Sequence, residues 1–348
     1  MPHEPKLEIY KLKLLRKEDG RLMTFRELFR KKFNEYPIKN YPDLIRPIEV
    51  NDILKIYFDD FVKNIDLEGY NQNKRKKKAF TIATETVEGQ KKSHISFNQT
   101  QMKISGVLQG GKYGIKRILG EVDNKAIGTD IETKHLVGDK FYFLLYTPIE
   151  ETSALLMIQG YTESRISDVF LEHLKKYFKH LRHNDCQIEL YIPEALRKEY
   201  LNGATFKSLI FSSGWNITAN FNNEIAEREY EFQVKIEIVD KSIKKSNYKS
   251  AMKFLSQVGV STFRLLNGRA QELSEFSNKN AKMESHGKEF PINFDDDGDI
   301  RPVILLANEG IEVGEGLIPN FIQVETYCNE LLERLINEIN PSNAVGRL

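Results

Sequence analysis

Two short runs, Phe141-Tyr-Phe-Leu-Leu-Tyr146 and Leu155-Leu-Met-Ile-Gln159, decide how this sequence folds. Each is strand-sized and nearly continuous in apolar residues, and a loop containing Pro148 joins them. A strand with one wet face alternates apolar and polar side chains, whereas a strand covered on both faces does not. The two runs therefore predict central strands of a sheet, covered above and below.

Outward from these strands, Ile166, Phe170, Leu174, Tyr177, Phe178 and Leu181 recur at helical spacing and predict a helix that roofs the sheet. Gln187 to Ile192 reads as a strand, 193–202 as a short helix opened by Pro193, and Thr205 to Ser212 as a further strand. That alternation gives the middle of the chain an α/β character. Tyr230 to Val239 alternates as a long strand, and Glu289 to Phe294 with Ile300 to Ala307 forms a hairpin around Asp295-Asp-Asp-Gly298. A last helix follows Pro319, with Val324, Tyr327, Cys328, Leu331, Leu332, Leu335 and Ile339 on one stripe.

Towards the N-terminus, Ala79 to Val87, Ile95 to Leu108 and Tyr113 to Val122 read as an antiparallel meander, with a hairpin turn at Gly110-Gly111. A polar connection, 121–140, then leads to the first central strand. Asn51 to Val62 suits a strand, and Asn71 to Lys78 a loop. The chain opens on an alternating strand, Leu7 to Leu14, followed by a helix whose capping box is Thr24 and Glu27. The whole predicts an α+β protein: an antiparallel N-terminal sheet, a mixed α/β middle, and a C-terminal hairpin plus helix. A division into residues 1–139, basic and β-rich, and 140–348, α/β-like with an acidic end, is expected.

Composition narrows the function classes. The chain has 348 residues, 40% apolar and 29% charged, and no apolar stretch approaches the roughly 20 residues that span a bilayer. No membrane partner is expected. The absence of an apolar leader and the presence of only Cys186 and Cys328 fit a reducing cytoplasm. A net charge of +1 hides an asymmetry. Lys6 to Arg46 holds 12 Lys/Arg and 6 Asp/Glu, and Glu284 to Glu338 holds 3 and 13. Such a split fits either a polyanionic partner at the basic end or head-to-tail self-association into a homo-oligomer.

Several motifs fail in their details. Gly106 to Lys112 has Walker A spacing, but Tyr113 stands where a Ser/Thr hydroxyl should hold magnesium. His180, His183 and Cys186 lie three residues apart, with His173 two turns upstream and Asp185 between, but the three have no clear fourth zinc ligand. Asp295 and Asp297 copy half of a calcium loop whose twelfth position is Ile304 in place of Glu. No metal or cofactor is expected from these patterns. A metal-dependent nuclease remains open, with Gln233, Lys235 and Glu237 on one strand and Asp295, Asp297 and Asp299 as further carboxylates. Whether the protein is an enzyme is left open. The strongest cationic features are Lys74-Arg75-Lys76-Lys77-Lys78, flanked by Tyr70 and Phe80, and the later Lys244, Lys245 and Lys249. Phosphate contacts need only such charges, so these eight residues are the candidate nucleic-acid-binding set for DNA or RNA backbone.

The blocks Ile104 to Gly114, Phe141 to Pro148 and Leu155 to Tyr161, in that order, resemble a loose group of uncharacterised bacterial proteins associated with mobile-element and anti-phage defence loci. The likeness spans about residues 95–215 and brings no catalytic residues with it. Taken with the basic segments, it leads to the expectation of a non-enzymatic nucleic-acid-binding or sensor component of a defence system, with a metal-dependent nuclease or a self-assembling structural partner as alternatives.

Overall fold

The computed structural model describes residues 4–35, 50–87, 90–121, 124–161, 164–179, 183–194, 197–198, 205–219, 228–239, 262–264, 270–272, 278–285, 288–294 and 300–339. The chain divides into two compact units, Met1–Tyr191 with Leu305–Leu348, and Ile192–Ile304. The boundary expected at 139/140 falls inside a strand of the first unit. No local pattern marks this division, because the first strand pairs with a partner far along the chain.

In chain order the first unit contains β1 (Pro5–Arg16), β2 (Leu22–Met23), α1 (Phe25–Glu35), α2 (Val50–Ile65), β3 (Asn71–Asn73), β4 (Lys78–Ile82), β5 (Thr84–Val87), β6 (Gln90–Ser93), β7 (Ile95–Asn98), β8 (Lys103–Lys112), β9 (Arg117–Glu121), β10 (Asn124–Ile131), β11 (Val137–Tyr146), β12 (Ser153–Tyr161), α3 (Ser167–Phe178) and β13 (Asn184–Leu190). A last helix, α4 (Phe321–Ile339), closes it. The main sheet runs β13-β1-β12-β11-β8-β4-β3, and every register along it is antiparallel. The protein is thus of the α+β class. Because β1 lies antiparallel between β12 and β13, those two strands run parallel, with α3 as the crossover between them. The α/β character of this stretch comes from that split unit.

Both central strands behave as the apolar runs predict, and β12 is buried at every position. One face presents Phe141, Phe143 and Leu145 of β11 with Leu156 and Ile158 of β12 to a core shared with α1, α2 and α3. The opposite face meets α4, whose buried residues are the seven of the predicted stripe. Full burial of each large apolar side chain contributes about 1.5–3 kcal/mol, so both layers are strongly held.

Three expectations are corrected. Asn51 to Val62 lies in helix α2. Its Ile53, Ile56, Tyr57, Phe61 and Ile65 are buried at three- and four-residue spacing, so the helical period overrides the residues' strand preference. Tyr57 stacks on Phe29 of α1 with ring centroids 4.4 Å apart. Gly110 and Gly111 make no turn, for β8 passes straight through them. A Cβ on Gly111 would come 2.1 Å from the Val137 carbonyl oxygen, so glycine serves close strand approach here. The polar connection 121–140 contains most of the hairpin β9–β10, which starts just before it.

The second unit contains β14 (Thr205–Ala219), β15 (Arg228–Val239), β16 (Thr262–Arg264), β17 (Ala270–Glu272), β18 (Asn278–Ser285), β19 (Lys288–Phe294) and β20 (Ile300–Pro302). Five strands form an antiparallel sheet in the order β15-β14-β18-β19-β20, and β16 pairs with β17. The predicted hairpin around 295–299 is β19–β20, and its loop lies outside the described residues.

Candidate nucleic-acid interface

The basic segment is a hairpin tip at one edge of the main sheet. Lys74–Lys77 form a tight turn between β3 and β4, and Lys78 is the first residue of β4. Asn73 organises it: its Oδ1 accepts the Lys76 backbone N–H at 3.0 Å, while its Nδ2 donates to Glu172 Oε2 of α3 at 2.8 Å. Lys77 adopts a left-handed backbone (φ 49°), a conformation that costs a residue with a Cβ about 1–2 kcal/mol. The Tyr113 N–H donates to the Lys77 carbonyl at 3.0 Å and holds that strained residue in place. The tip is therefore built, and is no solvated loop.

The five cations divide by role. Lys78 Nζ donates to Asp168 Oδ1 at 2.9 Å and to the Arg165 carbonyl at 3.1 Å. Lys76 Nζ donates to the Asp168 carbonyl at 3.1 Å and lies 3.7 Å from Glu172 Oε2. Burial pushes the Asp168 carboxyl up, yet Lys78 and Lys76 beside it bring the net pKa below its usual value. These two lysines thus serve as internal anchors onto α3. Lys74, Arg75 and Lys77 are exposed and have no ion-pair partner among the described residues.

Register adds a fourth cation, one that in sequence belongs to the failed Walker motif. Lys112 ends β8 directly opposite Lys78, and its side chain is exposed. The signal was the β4–β8 pairing, which no local pattern reveals. Of the flanking aromatics, Phe80 gives no stacking platform for bases. Phe80 is buried against Phe170 and His173, and the Tyr70 hydroxyl accepts a hydrogen bond from Gln109 Nε2 at 3.2 Å. Such a tip can hold phosphates without reading bases.

Lys244, Lys245 and Lys249, together with His180, Asp295, Asp297 and Asp299, lie outside the described residues. Lys235 and Glu237 stand on β15, opposite Ser212 and Ile210 of β14. His173 is on α3 and Cys186 is buried on β13, where desolvation pushes its thiol up to about 12. Among the described residues no three His, Cys, Asp or Glu side chains converge as a metal site, and no helix is long and apolar enough to cross a membrane. No family model matches the chain, and no curated protein is significantly similar to it in sequence.

Proposed function

We propose that this protein binds nucleic-acid backbone, without sequence preference, through the β3–β4 tip. The observation that carries the reading is the division of labour within the tip: Lys76 and Lys78 fix it to α3, leaving Lys74, Arg75 and Lys77 facing outward on a rigid support. Lys112 extends the same charged edge. In the setting that the resemblance implies, such a module would be the nucleic-acid sensor of a bacterial defence system, acting inside the cell.

The test is binding to labelled duplex DNA and to single-stranded RNA across a salt series, in magnesium and in chelator. Replacing Lys74, Arg75 and Lys77 with Ser should make the slope of log K against log salt shallower by about 0.9 per lost duplex contact, or about 0.7 per lost single-strand contact. An unchanged slope would show that the tip makes no phosphate contacts. Cutting that requires magnesium would replace this reading with the nuclease one.

A second reading, head-to-tail self-association, has one observation in its favour. A cleft of about 820 Å³ beside α4 is lined by Glu150, Glu151 and Glu333, with Lys103 and Asn329 at its wall. Glu150 is paired with Arg26 and Lys103 acts on Glu333, so the cleft is a mildly acidic counterpart to the basic tip. Light scattering should then show a mass that falls as salt rises, since exposed charges are screened beyond a Debye length of about 10 Å at 0.1 M. A constant mass would dispose of it.

A further inference from the structure

A second concave site lies on the α4 side of the sheet, away from the basic turn. It is a groove of about 300 Å³ between β6–β8 and the first turns of α4. Ile95, Val107, Phe321 and Ile322 supply apolar walls, and Ile322 is 78% exposed. The floor is polar. Ser105, only 8% exposed, donates to Glu325 Oε1 at 2.8 Å, and its oxygen lies 2.8 Å from that of Ser96. Since Ser105 gives its single proton to the carboxylate, Ser96 donates to Ser105 and keeps free lone pairs of its own. Tyr142, 2% exposed, lines the same groove, and its hydroxyl has no hydrogen-bond partner, although Ser105 is close enough to act on it. Buried polar atoms without partners are rare in folded proteins and call for a reason.

We propose that this groove binds a small ligand with a cationic amine or amidine head and an apolar body. Glu325 and Ser96 line the groove with lone pairs to spare, and the Tyr142 hydroxyl is buried beside Ser105 and Glu325, so a group with several N–H donors and a positive charge that settles into the floor satisfies them together. The apolar walls take the body of the ligand. The frame is rigid where it matters: a Cβ on Gly106 would come 2.4 Å from the His94 carbonyl oxygen, so β8 is closely apposed to the chain beside it. At the rim, His94 Nε2 lies 2.7 Å from Glu85 Oε2, and Lys92 sits across from Glu85 in the β5–β6 register. The rim charges thus largely answer one another, and the anion of the floor is Glu325, which Ser105 holds by a hydrogen bond and on which the Lys103 ammonium acts only as a longer-range charge.

Benzamidine and its neutral isostere benzamide test this directly, titrated against the full chain by calorimetry and by amide chemical-shift changes. Benzamidine should bind at least about tenfold more tightly than benzamide, since a hydrogen bond to a charged group is the stronger kind. Tyr142→Phe should weaken benzamidine several-fold without lowering thermal stability, because it removes a hydroxyl that has no partner. Glu325→Gln should abolish the preference for the charged compound. Equal affinity for the two compounds, no binding of either, or undiminished benzamidine affinity in Tyr142→Phe would overturn the proposal.

Discussion

His173 shows how one side chain couples packing to pH. It packs edge-on to Phe80 with ring centroids 5.5 Å apart, and its Nε2 is buried without a partner. Burial, assisted by Lys176, lowers its pKa from 6.5 to about 4. The unfolded chain therefore takes up a proton between those values that the folded chain refuses, and stability is lost as pH falls from about 6.5 towards 4. The loss should be on the order of 3 kcal/mol by pH 4, at about 1.4 kcal/mol per pKa unit. His173→Leu should flatten urea midpoints across that window. A variant that keeps the wild-type slope would show that other groups govern acid sensitivity. In sequence the same histidine stands near His180, His183 and Cys186, a cluster too incomplete to predict a metal site and silent about what the ring does. Only the fold shows that its ring serves as core.

At the level of elements, the β3–β4 tip makes opposite predictions for neighbouring lysines. Lys78→Ala removes the 2.9 Å ion pair with Asp168 and should cost about 1 kcal/mol, since both groups are partly exposed. Lys77→Gly relieves a left-handed backbone and should raise stability by about 1 kcal/mol, while weakening nucleic-acid binding through the lost charge. Chemical denaturation of both variants checks the pair, and the reverse order of midpoints would refute the assigned roles. Local pattern foretold the elements with a single clean period. The α4 stripe, the α3 roof and the two central strands were all legible, and so was the Thr24 cap, whose Oγ1 accepts the Glu27 N–H at 3.3 Å. Helix α2 was not, because Ile53, Ile56 and Tyr57 also suit a strand, and its period emerges only from burial against α1 and α3. The split among the five cations depends on Asp168 and Glu172, some 90 residues away in sequence. No local reading reaches that far.

On the scale of the whole molecule, the second unit is inserted into the first. The chain leaves the first unit after Tyr191, whose N–H donates to the Ile9 carbonyl at 2.7 Å, and its return at Leu306–Glu309 also contacts β1. Replacing 192–304 with a short Gly/Ser linker should therefore leave a first unit that unfolds in one cooperative step and keeps salt-dependent binding. A broad, non-cooperative melt would mean that the units depend on each other for stability. The layering of the first unit also has a consequence for how a cell makes the protein. The nine buried residues of β12 leave the ribosome long before α4, which covers one face of that strand, has been translated. At about 5–20 residues per second the nascent chain carries an uncovered apolar sheet for on the order of ten seconds or more. Chains stalled before Pro319 would expose that face to one another, so chaperone occupancy during translation should peak once β12 emerges and fall when α4 docks.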